Sequence, residues 1–262
     1  MDHAAVRDLF DEQMRRGARP DETGARVERV GDVVRHVGPA AGWNGVLWSD
    51  LDERTADAAI AEQVRFFGSL DRAFEWKTYG HDRPADLADR LAAAGFVPEE
   101  PETLLVAETA ALPHDTAPPA GIRLLPVTDE AGIELVERVH ERAFGSGRST
   151  IGHQLRAQLA QDPATAPAAV ALHDAEPVSA ARMELHPGTA FASLWGGGTV
   201  PEWRGRGIYR SLVAFRVRIA AERGFSYVQV DASPYSRPIL ERLGFQALGT
   251  TTPYVWEPSV SR

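Results

Sequence analysis

Cysteine is absent from the 262 residues, and that one absence removes disulfides, thiolate metal ligands and a cysteine nucleophile together. Lysine is nearly absent too. Of 28 basic residues only Lys77 is lysine, which leaves 27 arginines. A skew that broad reflects coding bias, so a single surface arginine says little about function. No run approaches the roughly 18 apolar residues that span a bilayer, and the first ten residues, MDHAAVRDLF, lack a basic stretch followed by an apolar one. We therefore expect no membrane partner and a cytoplasmic location. A formal net charge of -9 and the lack of basic stripes argue against a nucleic-acid partner.

What is present is ordinary for a globular protein: 44% hydrophobic and 25% charged residues, enough for a sizeable core. At roughly 150 residues per domain the length allows one domain or two. Residues 112–121, LPHDTAPPAG, carry three prolines and no apolar periodicity, and so read as a linker. The division predicted is a domain over 1–112, a linker over 113–120 and a second domain over 121–262.

Hydrophobic periodicity places the elements. Before the linker it predicts a helix over 4–16, strands over 27–37 and 45–48, and a helix capped by Thr55 with Ile60, Val64 and Phe67 inward. A strand over 74–79, a helix near 85–94 closed by Gly95 and a strand over 104–107 follow. After the linker it predicts a strand over 122–127, helices over 130–144 and 151–159, and antiparallel strands over 168–172, 178–185 and 189–200. A loop over 201–207 leads to a helix with Ile208, Leu212, Phe215 and Ile219 inward; a strand over 225–231, a short helix ending at Gly244 and a strand to Trp256 complete the chain. The fold class is α/β (α+β). Strand, helix, AAGF and strand in the first half answer strand, helix, RLGF and strand in the second, which points to a duplication.

The segment that carries chemistry is GGGTVPEWRGRGIYRSL, residues 196–212. A strand enters a turn made by Arg204, Gly205, Arg206 and Gly207, and a helix starts at Ile208. Successive backbone N–H groups in such a turn face one concavity, and the helix start adds about half a positive charge. With Arg204, Arg206 and Arg210 around it, the turn suits a ligand with several phosphates. It has neither the Gly-Lys-Ser/Thr of a triphosphate loop nor the third glycine of a dinucleotide fold.

Arg204-Gly205-Arg206-Gly207-Ile208-Tyr209 resembles the Arg/Gln-x-x-Gly-x-Gly/Ala signature of the GNAT superfamily of acyl-CoA N-acyltransferases. The order of elements over 121–256, with LERLGF at 240–245, is similar as well. Tyr209 departs from the small last residue, so its side chain must point away from the diphosphate. The resemblance implies two GNAT-like domains, each a mixed, mostly antiparallel sheet flanked by helices, as in tandem members with one degenerate copy. It implies acetyl-CoA as cosubstrate and no metal. Amides of Gly205, Arg206, Gly207, Ile208, Tyr209 and Arg210 would hold the diphosphate with Arg204, and Gly198, Thr199 and Val200 would run beside the pantetheine arm, with Ser233 near. It further implies transfer to a primary amine of a small molecule, or of a peptide or protein N-terminus or lysine, by a monomer or homodimer. Without cysteine, transfer would be direct, in a ternary complex. The alternative is a non-catalytic acyl-CoA or metabolite sensor on the same scaffold. Gly196, Gly197 and Gly198 in a strand mark a bulge or a close backbone approach, which would open a slot for a thioester.

The tyrosine acid of the family falls at Leu240 here, and its asparagine at Ser233 or Pro234, so neither carries over. Tyr235 is the nearest hydroxyl that could replace the acid. For the base, the strand over 189–200 has no carboxylate, leaving Glu184 and His186 on the neighbouring strand, then Asp231, His140 and Glu141. Loops at 145–153 and 253–256, with His153, Tyr254 and Trp256, are expected to shape the acceptor pocket. The corresponding loop of the first half, WSDLDER at 48–54, has no glycine, and Asp50, Asp52 and Glu53 would repel a diphosphate. That copy is expected not to bind coenzyme A, with Trp43, Trp48, Trp76 and Tyr79 in its core.

Overall fold

The computed structural model describes residues 1–20, 24–40, 42–145 and 151–258. Its elements in chain order are α1 (His3–Phe10, continued as a wider π turn over Asp11–Arg16), β1 (Arg26–Val30), β2 (Val33–Val37), β3 (Asn44–Ser49), α2 (Ala56–Ser69), β4 (Phe74–Tyr79), α3 (Leu87–Ala93), β5 (Val97–Pro98) and β6 (Glu102–Glu108). Then follow β7 (Ile122–Pro126), α4 (Glu130–Phe144), α5 (Ile151–Gln161), β8 (Ala168–His173), β9 (Glu176–Leu185), β10 (Phe191–Thr199), α6 (Ile208–Glu222), β11 (Tyr227–Ala232), α7 (Arg237–Leu243) and β12 (Gln246–Trp256).

The chain forms two compact units. Met1–Leu105, Asp231–Pro238 and Ala247–Arg262 make the first; Val106–Val230 and Ile239–Gln246 make the second. The sequence reading assigns 121–262 to one domain, whereas β12 groups with the first unit because Thr251–Trp256 pair antiparallel with Tyr79–Phe74. Residues 253–256 are therefore strand interior rather than a loop, and Tyr254 and Trp256 pack on the first unit's core.

Within the first unit the strand order is β1-β2-β3-β4-β12, with β3 and β4 the parallel neighbours. Within the second it is β11-β10-β9-β8-β7, with β10 and β11 parallel. Parallel neighbours need a crossover, which α2 supplies in one unit and α6 in the other. The expected strand over 27–37 is instead the hairpin β1-β2, turned at Gly31 with φ 58°, a backbone glycine adopts without strain.

Each unit has its own core. Val33, Val46, Ile60, Phe67, Phe74, Trp76 and Leu91 fill the first. Trp43 stands apart from it, 37% exposed. In the second, the alternation of β8 splits the core: Val170 faces Ile133, Val136, Val139 and Leu155, while Ala169 and Ala171 face Ile208 and Leu212 of α6. Alanines on that face let α6 approach closely.

Candidate functional site

The second unit's loop is prepared by the strand before it. β10 slips register against β9 between Trp195 and Gly198, a bulge in which Gly196 has φ 57°. A Cβ on Gly197 would lie 2.7 Å from the Tyr209 ring, so the ring rests directly on this backbone. Tyr209 thus points at the bulge, as its place in the motif requires. Below the bulge the Ser179 hydroxyl donates to the Gly198 carbonyl at 2.7 Å and lies 2.8 Å from the Thr199 hydroxyl, and Val200 is buried. These contacts tie down Gly198, Thr199 and Val200.

Gly205 and Gly207 have φ of 75° and 85°, and Gly207 is the N-cap of α6 with no side chain bonding the helix start. The first N–H groups of α6 are presented outward, where a ligand anion would meet both their dipoles and the helix field. The arginines divide the labour. Arg204 donates from Nε to the Thr199 carbonyl (3.0 Å) and from Nη2 to the Ala143 carbonyl (3.2 Å), bracing the turn. Arg206 lies 4.5 Å over the Trp203 ring, Arg210 is exposed, and Ile208 anchors the helix in the core.

Ile208 and Leu212 of α6 are buried as expected, and the buried face extends further than expected on one side. Phe215 and Ile219 are half-buried, while Arg216 is 1% exposed. Its Nε donates to the Leu212 carbonyl (3.0 Å) and its Nη1 to the carbonyls of Arg182 (3.0 Å) and Trp195 (3.5 Å), at the foot of the bulge. Nη2 has no partner at hydrogen-bond geometry. Burial pulls the guanidinium below the ordinary arginine value, and the nearby Tyr209 hydroxyl opposes that fall.

Of the proton-transfer candidates, His140 lies closest to this backbone, with Nε2 2.9 Å from the Gly196 carbonyl. Burial lowers its pKa, the Gly196 carbonyl opposes and Arg182 reinforces the shift, so the ring is neutral at pH 7. Glu184 is engaged by Arg182 and by Gln158 Nε2 at 2.8 Å. His186 Nε2 lies 2.7 Å from the Ser193 hydroxyl, which also accepts from Gln229. Glu141 is exposed. Ser233 and Tyr235 group with the first unit: Ser233 holds the start of α7 through its carbonyl, and Tyr235 is 85% exposed. Leu240, where the family acid would stand, is fully buried. Residues 146–150 of the expected acceptor loop lie outside the described residues.

In the first unit the corresponding turn is closed by its own carboxylate. Asp52 Oδ1 accepts from the N–H groups of Arg54 and Thr55 and from the Thr55 hydroxyl, each at 2.9 Å, while Thr55 holds the N-cap position of α2 without a side-chain bond to the helix start. A cavity of about 790 Å³ beside it is lined by Asp52, Glu53, Tyr79, His81, Asp82 and Tyr254. Lys77 is buried in this unit, its Nζ 2.5 Å from Asp231 Oδ2. Burial disfavours its charge, but Asp231 more than offsets this and holds the ammonium well above the usual lysine range. Among the described residues no group of three or more His, Cys, Asp or Glu is placed to hold a metal ion, and no helix is long and apolar enough to cross a membrane.

No curated protein matches the sequence. Among solved structures, a GCN5-related N-acetyltransferase from Kribbella flavida superposes with a TM-score of 0.68 at 18% identity, covering 98% of this chain and 94% of that one. A tandem GNAT protein from the clavulanic acid biosynthesis pathway gives 0.61 at 16% identity over 92% and 86%. A conserved protein of unknown function from Staphylococcus epidermidis gives 0.66 at 12% over 90% and 95%. The Acetyltransferase (GNAT) family model matches residues 133–245, which hold the bulge, the glycine turn and α6. Residues 133–245 are thus similar to the GNAT acetyltransferase family, and the fold of the chain is that of these solved structures.

Proposed function

We propose that the protein is an N-acetyltransferase that uses acetyl-CoA and transfers the acetyl group directly to a primary amine, with the donor held by residues 196–212. The observation that carries this reading is the uncapped start of α6: Gly207 at φ 85° exposes successive N–H groups beside a bulged, glycine-built strand. A diphosphate accepts from such N–H groups and is favoured by the helix dipole. The backbone of β10 at the bulge supplies polar groups for a thioester carbonyl, whose developing negative charge an N–H stabilises. The amine must attack as the free base, and the candidate base beside this backbone is His140 through Nδ1, because Nε2 carries the hydrogen that the Gly196 carbonyl accepts. Glu184 and His186 are already committed to partners. The absence of cysteine supports direct transfer over an acyl-enzyme.

Titration of acetyl-CoA by calorimetry, followed by thiol release with a panel of amines, tests this. Binding with turnover is the expected result; no binding at millimolar ligand overturns it. Buried Leu240 in place of the family acid favours a second reading, a non-catalytic acyl-CoA sensor. Turnover with any amine ends that reading.

A further inference from the structure

In the first unit the ladder between β3 and β4 ends at Val46↔Trp76, while β4 runs on beside β12 to Tyr79. The two strands part there, as β10 and β11 do after Ser193↔Gln229. The cavity of about 790 Å³ lies at the parted ends, lined by Leu51–Glu53, which follow β3, and by Thr78–Asp82, which end β4. That volume falls in the roughly 300–1,000 Å³ range of small-molecule sites. Arg15 bridges the strands beside it, donating from Nε to the Leu47 carbonyl (3.1 Å) and from Nη2 to Asp82, so its charge and that of Asp82 are already matched. Three other polar groups of the lining are not. Tyr79 is 8% exposed and its hydroxyl bonds no group among the described residues; burial pushes its pKa well up, so the phenol stays protonated. Asp52 accepts from backbone N–H groups and from the Thr55 hydroxyl, bonds that hold its carboxyl below the usual range and so charged at pH 7. Glu53 beside it is exposed, and among the described residues neither carboxylate forms an ion pair. Arg83 is the one unmatched cation of the lining, against these two carboxylates. Leu51, Leu87 and Tyr254 supply an apolar wall.

We propose that this cavity of the first unit binds a small organic cation, a primary ammonium carried on an apolar or aromatic body. An ammonium has three N–H donors and no acceptor, and the Tyr79 hydroxyl and the carboxylates of Asp52 and Glu53 accept from it, while the body packs on Leu51, Leu87 and Tyr254. Selectivity comes from the two carboxylates: a cation matches them, a neutral molecule gains nothing from them and an anion is repelled. The inference does not depend on the acyl-CoA reading of residues 196–212.

Calorimetric titration of the full chain with tryptamine, tryptophol and indole-3-acetate, which share a ring and differ in charge, tests this. Tryptamine binds at least about fivefold more tightly than tryptophol, the scale of two partly exposed charge contacts, and indole-3-acetate binds most weakly. Variants assign the binding to this cavity. Asp52→Asn combined with Glu53→Gln keeps size and acceptor oxygens and brings the ratio of tryptamine to tryptophol to about one. Tyr79→Phe costs tryptamine a few fold, and Ala85→Trp, at an exposed position of the lining, weakens both ligands by about tenfold. A weaker preference for the cation, no tryptamine binding at millimolar concentration, or a preference that survives the loss of both carboxylates overturns the inference.

Discussion

The two turns that follow β3 and β10 occupy the same place in the same order of strands, and they treat the helix start in opposite ways. After β3, Asp52 folds its own carboxylate back onto the N–H groups of Arg54 and Thr55. After β10, Gly207 brings no side chain, and the start of α6 stays open. One loop supplies its anion from within; the other is built to take one from outside. The difference is chemical rather than architectural, because a single short carboxylate satisfies donors that a glycine leaves for a ligand.

Buried cations repeat the contrast. Arg15 in the first unit, 3% exposed, donates from Nη2 to both carboxylate oxygens of Asp82, bonds Asp11, lies 3.4 Å from His81 Nε2 and stacks on Tyr79. Arg216 in the second, also buried, has three carbonyls and the Tyr209 hydroxyl but no carboxylate among its hydrogen-bond partners.

Mutations can break this comparison. The largest effect expected is from Gly207→Glu, which places a carboxylate where the diphosphate would sit and forces a side chain into φ 85°. Acetyl-CoA affinity should fall by more than about a hundredfold in calorimetry, the scale of two lost charge-assisted hydrogen bonds; retained affinity would refute the assignment of the turn. Next, Arg15→Met strands Asp11 and Asp82 and should cost about 3–5 kcal/mol in urea unfolding. Arg216→Met strands no charge and should cost no more than about 1.5 kcal/mol. Equal losses would erase the distinction between paired and unpaired cations.

Smaller effects sharpen the picture. Burial first, then Asp231, Glu75 and Glu99, push Glu102 from 4.5 up to about 7 against the pull of Lys77. Its folded pKa exceeds the unfolded one, so its contribution is fully present below pH 4.5 and lost as pH rises through about 7. Glu102→Gln should flatten the pH dependence of stability across that window, as followed by denaturation at a series of pH values. The smallest change is that of Asp52→Ala, which should lower the unfolding midpoint slightly and leave acetyl-CoA affinity unchanged.

Much of this was legible in the sequence because it rests on local rules. The strand over 74–79, the three antiparallel strands after the linker and the glycine turn are where pattern and turn chemistry place them. The GGG run is a bulge for the reason three glycines in a strand require: a ring lies on it. Arg216 was illegible for a physical reason. An abundance of arginine devalued each one, and apolar spacing drew the buried face through Phe215 and Ile219, one step around the helix. Thr55 stands at the N-cap as its place before the helix suggests, but its hydroxyl donates to the carboxylate three residues earlier instead of accepting from the helix start. The partner of β12 could not be read at all, since strand pairing across more than 170 residues leaves no local trace.

That last pairing orders events in time. During synthesis β4 is made before residues 106–230 and its neighbour Thr251–Trp256 after them, so the first unit cannot complete its sheet until the segment of the second has been made. Cleavage at 113–120 would leave β4 and its partner strand on different polypeptides, joined only by their ladder and shared core.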